Sequence, residues 1–242
     1  MRLTEKYNYA YQEAMEKEHR PVIYLSGPYC ADTKEKVLAN IARIEDVAKQ
    51  LVEKNIGYFS PHSNSALLTI GTFYFDHLKS EGDVHGYWMN LDRRILLSCD
   101  AMLVVGDFSN SKGTKEEIAY ATRLGIPVFY TLEELLENNK QYFSYPKQFQ
   151  VFREIQTILY QQHREKNLDY SPYNVGATGN IGLVTRIWDK VARLMKLAGF
   201  DIATGTYSES KKANNEPVED TFGDLANYSI IALIYRGKLW GK

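Results

Sequence analysis

Cysteine is nearly absent: Cys30 and Cys99 are the two copies among 242 residues. Two thiols cannot build a disulfide framework or a metal knuckle, so free thiols in a reducing cytosol are the expectation. A surplus of charge of either sign is also missing. Twenty-nine basic and 30 acidic residues leave a formal net charge of −1, and such a chain has no global field for gripping nucleic acid or an anionic membrane. Apolar runs such as Ala101–Val105 and Ile230–Ile234 fall far short of the roughly 20 residues needed to cross a bilayer. The first twenty residues are charged throughout, unlike a signal peptide, and neither an internal repeat nor a low-complexity tract is present. These absences predict a cytoplasmic protein that binds small molecules, with no nucleic acid and no membrane as partner.

What is present is ordinary for a globular chain, 44% hydrophobic and 24% charged, and long enough for one large domain or two small ones. Tyrosine stands out with 18 copies; its ring packs while its hydroxyl stays available, which suits an interface and a homo-oligomer. From Pro21 to about Asn139 the pattern alternates between strand and helix. Pro21–Ser26, Gly57–Pro61, Ala101–Asp107 and Pro127–Thr131 read as strands. Thr33–Asn55, Tyr87–Ser98, Thr114–Leu124 (stopped by Gly125) and Leu132–Asn139 read as helices. Such alternation implies an α/β fold of the flavodoxin or Rossmann type, a parallel sheet with helices on both faces. Beyond Lys140–Lys147, a linker by composition, the β pattern is lost. Phe149–Lys166, Asn180–Ala198 and Pro217–Tyr235 have helical periodicity, and polar Asp201–Asn215 reads as a loop. The expected organisation is an α/β domain over 1–140 followed by a small all-α bundle over 141–242, with Met1–Arg20 an amphipathic helix packed on one of them.

Ligands of parallel sheets bind beyond the carboxyl ends of the strands. Strand Ala101–Val105 ends in Gly106-Asp107, and a turn-rich loop leads to the helix at Thr114. That placement puts Asp107 and Glu117 in one crevice, with Glu117 in the first turn near the positive end of the helix dipole. A carboxylate held there can stay ionised and attack a sugar's anomeric carbon. Two local readings compete. Thr114-Lys-Glu-Glu117 fits a capping box, and Asp107 fits a loop-capping residue.

The ordered set Tyr24-Leu-Ser-Gly-Pro28, Phe59-Ser-Pro-His62, Asp92, Ser98-Cys-Asp100, Ala101–Asp107 and Gly113-Thr-Lys-Glu-Glu117-Ile-Ala-Tyr-Ala121 resembles the nucleoside 2-deoxyribosyltransferase superfamily. That superfamily includes the deoxynucleoside 5′-monophosphate N-glycosidases. The resemblance implies that Glu117 attacks C1′ of the deoxyribose, that Asp92 protonates the leaving base, and that Asp107 fixes the sugar hydroxyl and the nucleophile. It implies no cofactor for this domain. It places substrate contacts at Tyr24, Ser26, Gly27, Pro28 and His62. Ser111, Lys112, Gly113 and Thr114 would hold a 5′-phosphate, helped by the helix N-terminus. The glycine-rich, Arg-containing first loop of the monophosphate enzymes is replaced by Gly27-Pro28-Tyr29-Cys30. The aromatic insert Asn64–Trp88 is expected to cover the base. His62, His77 and His85 lack metal-ligand spacing.

On the last helix Glu216, Asp220, Asp224 and Asn227 fall on one stripe, with Phe222, Leu225 and Leu233 facing the other way. A half-buried acidic stripe calls for a cation, and Mg²⁺ on Asp220, Asp224 and Glu216 is one expectation; a solvated acidic face is the other. Arg186, Asp189 and Arg193 give the middle helix a polar face, with Lys190 beside it. Lys166-Asn-Leu-Asp169-Tyr170, Asp189-Lys190-Val-Ala-Arg193-Leu194 and Glu219-Asp220-Thr-Phe-Gly-Asp224-Leu-Ala-Asn227-Tyr228 resemble MazG-like all-α domains and the phage-associated nucleotide-modification helical family. Such domains bind nucleotides, and some hydrolyse triphosphates. Thr221 stands where a second glutamate is usual, which leaves a nucleotide-binding or oligomerisation role open.

The sequence therefore predicts a nucleotide-metabolism enzyme that cleaves or exchanges the N-glycosidic bond of a (deoxy)nucleoside or its 5′-monophosphate, as hydrolase or transferase, fused to a helical module. The alternatives are an NAD or ADP-ribose glycohydrolase and a non-catalytic nucleotide sensor.

Overall fold

The computed structural model describes residues 3–17, 20–29, 31–64, 81–142, 146–211, 213 and 216–242; at 81–85 and 139–142 it describes the backbone alone. The chain divides into two compact units, His19–Pro146 and a second one formed by Met1–Glu18 with Lys147–Lys242. The N-terminal helix thus joins the helical unit, whereas a contiguous 1–140 domain would have kept it with the sheet.

In the first unit β1 (Val22–Ser26), α2 (Lys34–Glu53), β2 (Gly57–Phe59), α3 (Glu81–Leu96), β3 (Ala101–Val104), α4 (Lys112–Leu124), β4 (Val128–Phe129) and α5 (Leu132–Tyr142) follow in order, after α1 (Leu3–Glu16) of the other unit. The strands form one parallel sheet in the order β2-β1-β3-β4. Alternation along β1 sends Ile23 and Leu25 to one face and Tyr24 and Ser26 to the other. Ile23 and Leu25 pack with Ile44, Ala48 and Leu51 of α2 and Leu135 of α5. Tyr24 packs with Leu96 of α3, Ala121 of α4, and Met102 and Val104 of β3. All four β3 residues are buried, as a doubly covered parallel strand requires. Helix ends follow local chemistry. Thr33 caps α2 by accepting the Lys36 N–H at 3.3 Å, and Gly125 closes α4 in the left-handed region at φ 73°.

The chain leaves β1 toward β2 on one side and later returns to β3 on the other. The switch point therefore lies beyond the carboxyl ends of β1 and β3, where open α/β sheets take their ligands. Ser26 ends β1 opposite Val104. At Gly27 the backbones come so close that a Cβ would stand 2.6 Å from the Val105 carbonyl oxygen, so only glycine fits.

The second unit holds α1, α6 (Pro146–Asp169), the short α7 (Tyr173–Gly176), α8 (Gly179–Leu197), β5 (Phe200–Asp201), β6 (Thr206–Tyr207) and α9 (Val218–Arg236). The polar stretch expected to be all loop opens with a two-stranded antiparallel hairpin. Gly199, at φ 81° with no room for a Cβ beside the Ser208 carbonyl, permits it, and Phe200 and Tyr207 pack their rings at 4.9 Å. Leu183 of α8 and Ile231 of α9 meet in the small apolar core.

Candidate functional site

Helix α4 begins at Lys112, two residues before the expected start. Ser111 is its N-cap, accepting the Thr114 N–H at 3.3 Å and sharing a hydrogen bond with the Thr114 hydroxyl at 2.9 Å. Glu117 consequently lies in the second turn, too far along for a capping box, and it is 7% exposed. Its side chain enters the layer beneath the switch point, where Tyr24 and Ser26 of β1 donate to it. The Tyr24 hydroxyl donates to Oε1 at 2.6 Å and the Ser26 hydroxyl donates to Oε2. The period of two along β1 is what aims both donors at one carboxyl.

Asp92 of α3 is the second carboxyl here. It is 6% exposed, and its Oδ1 makes no hydrogen bond among the described residues. Burial, with the negative charge of Glu117 adding to it, pushes its pKa from the ordinary 3.8 up to about 7. Burial also raises Glu117, while the Ser26 and Tyr24 hydroxyls and the nearby Arg93 guanidinium pull it back. Two acceptor oxygens that each receive an O–H favour an ionised Glu117, and the penalty for a second buried charge then falls on Asp92, which favours its neutral acid form. Burial and the neighbouring Glu117 push the Tyr24 hydroxyl far up, so it stays a donor. Arg93, which the sequence reading did not single out, spans to Glu116 at 3.5 Å and lies over the Tyr120 ring. Its adjacency to Asp92 was the available signal.

His62 sits in the helical turn at 61–64, buried, with Nε2 3.1 Å from the Pro28 carbonyl oxygen. Burial lowers its pKa, so it is neutral; with Nε2 donating to Pro28, its Nδ1 is a buried acceptor without a hydrogen bond among the described residues. Tyr29 meets its ring edge-on at 5.3 Å.

The structure thus brings together Tyr24, Ser26, Asp92 and Glu117. Tyr24 and Ser26, expected to touch substrate, both donate to Glu117. Gly27 and Pro28 shape the adjoining turn, and Pro28 fixes His62. Asp107 is different. It lies in the exposed loop after Gly106, and Oδ1 accepts the Ser109 N–H at 2.9 Å, which lowers its pKa; this is the loop-capping arrangement. Ser111 and Thr114 are occupied in the cap, Gly113 follows in the first turn, and the exposed Lys112 reaches Glu116 at 3.8 Å. A cleft of about 530 Å³ lined by Ser109, Asn110, Lys112, Lys115, Glu116 and Ala119 flanks this end of α4. Residues 65–80 of the aromatic insert, with His77, lie outside the described residues, as does Cys30, and only the backbone is described at His85.

In the helical unit the acidic stripe finds its cations on neighbouring helices. Lys166 of α6 and Lys190 of α8 each take one oxygen of Asp224, at 2.8 and 2.7 Å. Arg193 pairs with Glu216 at 3.4 Å, the Thr4 hydroxyl reaches Asp220 at 3.5 Å, and Asn227 donates to Gln162 at 2.8 Å. Asp220, Asp224 and Glu216, the residues expected to hold Mg²⁺, are thus engaged by protein partners. Among the described residues no group of three His, Cys, Asp or Glu side chains is arranged to hold a metal. No helix among them is long and apolar enough to cross a membrane.

A protein-family profile described as a domain of unknown function, DUF1937, matches residues 21–133, which coincide with the α/β unit and its site. No curated protein and no solved structure matches the chain.

Proposed function

We propose that the α/β unit is an N-glycosidase, or a transferase of the same chemistry, acting on a (deoxy)nucleoside or its 5′-monophosphate with Glu117 as nucleophile. The observation that carries the reading is the pair of buried carboxyls at the switch point. Glu117 is held by two hydroxyl donors, and Asp92 is raised to about 7 with an oxygen that takes no hydrogen bond among the described residues. Unlike roles for two neighbouring carboxyls, set by environment, are the requirement of retaining glycosidic chemistry.

In this reading one Glu117 oxygen attacks C1′ as the bond from C1′ to the base nitrogen breaks. The bond's electron pair leaves with the base, which takes the Asp92 proton. The remaining hydroxyl donor steadies the other Glu117 oxygen through the oxocarbenium-like transition state. Asp92, now a carboxylate, accepts a proton from water or from an incoming base, which attacks C1′ and releases Glu117. The neutral His62 would offer Nδ1 to a donor on the substrate. Incubation with nucleosides, deoxynucleoside monophosphates and NAD, with products read by mass spectrometry, tests the proposal. Free nucleobase is expected from wild type and none from Glu117→Gln. Base release by Glu117→Gln at the wild-type rate would sink it, and nicotinamide from NAD as the sole product would redirect it to NAD glycohydrolysis.

A further inference from the structure

Helix α9 carries apolar residues on every side of its second half, Ser229–Ile234 reading Ser-Ile-Ile-Ala-Leu-Ile. A helix apolar all round is ordinarily covered all round, yet only Thr221, Gly223 and Ile231 of α9 are buried. Ile231 faces the core shared with Leu183 of α8. On the opposite side Phe222 is 57% and Leu233 71% exposed. With the smaller Ala226 and Ser229 between them, these residues recur at intervals of four, three and four, which is one helical stripe.

The geometry points to a second copy of this chain as the occupant of that stripe, α9 pairing antiparallel with α9 about a two-fold axis. A two-fold contact must be self-complementary, and the stripe is. With the axis between Asn227 and Tyr228, Phe222 of each copy meets the other's Leu233. Ala226 meets Ser229, which lets the helices approach closely at the centre. The charges obey the same axis. Exposed Glu219 in the first turn and exposed Arg236 in the last flank the stripe, and the antiparallel pairing sets Glu219 of one copy against Arg236 of the other at both ends. A parallel pairing would set like charges together. The span from Glu219 to Arg236 is about 25 Å, enough for three turns of apolar contact between two closed ends.

Sedimentation velocity of the full chain across a concentration series tests this. Wild type is expected to be a dimer that dissociates on dilution. Phe222→Asp with Leu233→Asp should raise the dissociation constant at least about thirtyfold. Both residues are exposed, so the fold should persist, and circular dichroism checks that it does. Glu219→Arg alone and Arg236→Glu alone should each weaken the dimer, while the two together should restore it. Oxidation of Ala226→Cys/Ser229→Cys should give a covalent dimer that wild type does not form. A monomer at every concentration overturns the proposal, as does a dimer indifferent to the Phe222 and Leu233 changes, or charge reversals whose combination fails to rescue.

Discussion

The Tyr24 hydroxyl is one of two donors to a buried carboxylate, and Tyr24→Phe removes it with almost no change of shape, because the ring is fully buried against Phe59 and the α3–α4 layer. A hydrogen bond to a charged group contributes about 1.5–3 kcal/mol. At about 1.4 kcal/mol per pKa unit, loss of this donor should move the Glu117 pKa up by roughly one to two units. Burial already holds that pKa above the ordinary value. The substitution therefore makes the ionised form scarcer near neutrality. Two assays read it. In the pH profile of base release the acid limb, set by ionisation of the nucleophile, should move toward alkaline pH by that amount. In urea unfolding the cost should be largest at alkaline pH, where the ionised carboxylate needs the donor, and should shrink as pH falls and Glu117 takes up its proton. Ser26→Ala should repeat the pattern through Oε2. A cost that does not change with pH, together with an unmoved acid limb in both variants, would refute the claim that these hydroxyls hold an ionised Glu117.

Asp92 gives the opposite sign. Its folded pKa of about 7 lies above the ordinary 3.8, so the folded state binds more protons than the unfolded one between those values, and stability falls as pH rises through that window. Asp92→Asn should leave the melting temperature nearly unchanged at pH 5 and raise it at pH 8 while abolishing base release, whose wild-type alkaline limb should fall near pH 7; equal shifts at both pH values would contradict this. Gly27→Ala should cost about 1–3 kcal/mol in urea unfolding, from the 2.6 Å approach to Val105 O, and an unchanged midpoint would show that the turn yields. Asp224→Ala strips the partner from Lys166 and Lys190 and should cost about 1–2 kcal/mol at pH 7; calorimetry with Mg²⁺ should show no binding to either protein.

The strands were legible because a doubly covered parallel sheet needs continuous apolar runs, and Ala101–Val104 supplies one. Tyr24, Asp92 and Glu117 were legible as chemistry, but not which group holds which. The helix start was misplaced because Ser111 and Thr114 are both good caps three residues apart. Choosing Thr114 turned a second-turn, inward-facing Glu117 into a first-turn residue. The β5–β6 hairpin was hidden by its polar sequence, since two short strands give no alternation to detect and the signal that matters is the positive φ of Gly199 and Gly205. On α9 the polar stripe faces its neighbours and the apolar one faces outward. Helical periodicity separates two faces but does not say which is inside, and Lys166 and Lys190, remote in sequence, decide it.

The most direct measurement is the intact mass of the protein quenched during turnover with a deoxynucleoside or its monophosphate. A nucleophilic Glu117 predicts a transient added mass equal to the sugar or sugar phosphate lacking its base. The adduct should lie on the peptide containing Glu117, be discharged by water or a second base, and be absent from Glu117→Gln. Base release with no adduct at any quench time, or an adduct that persists in Glu117→Gln, would contradict the account.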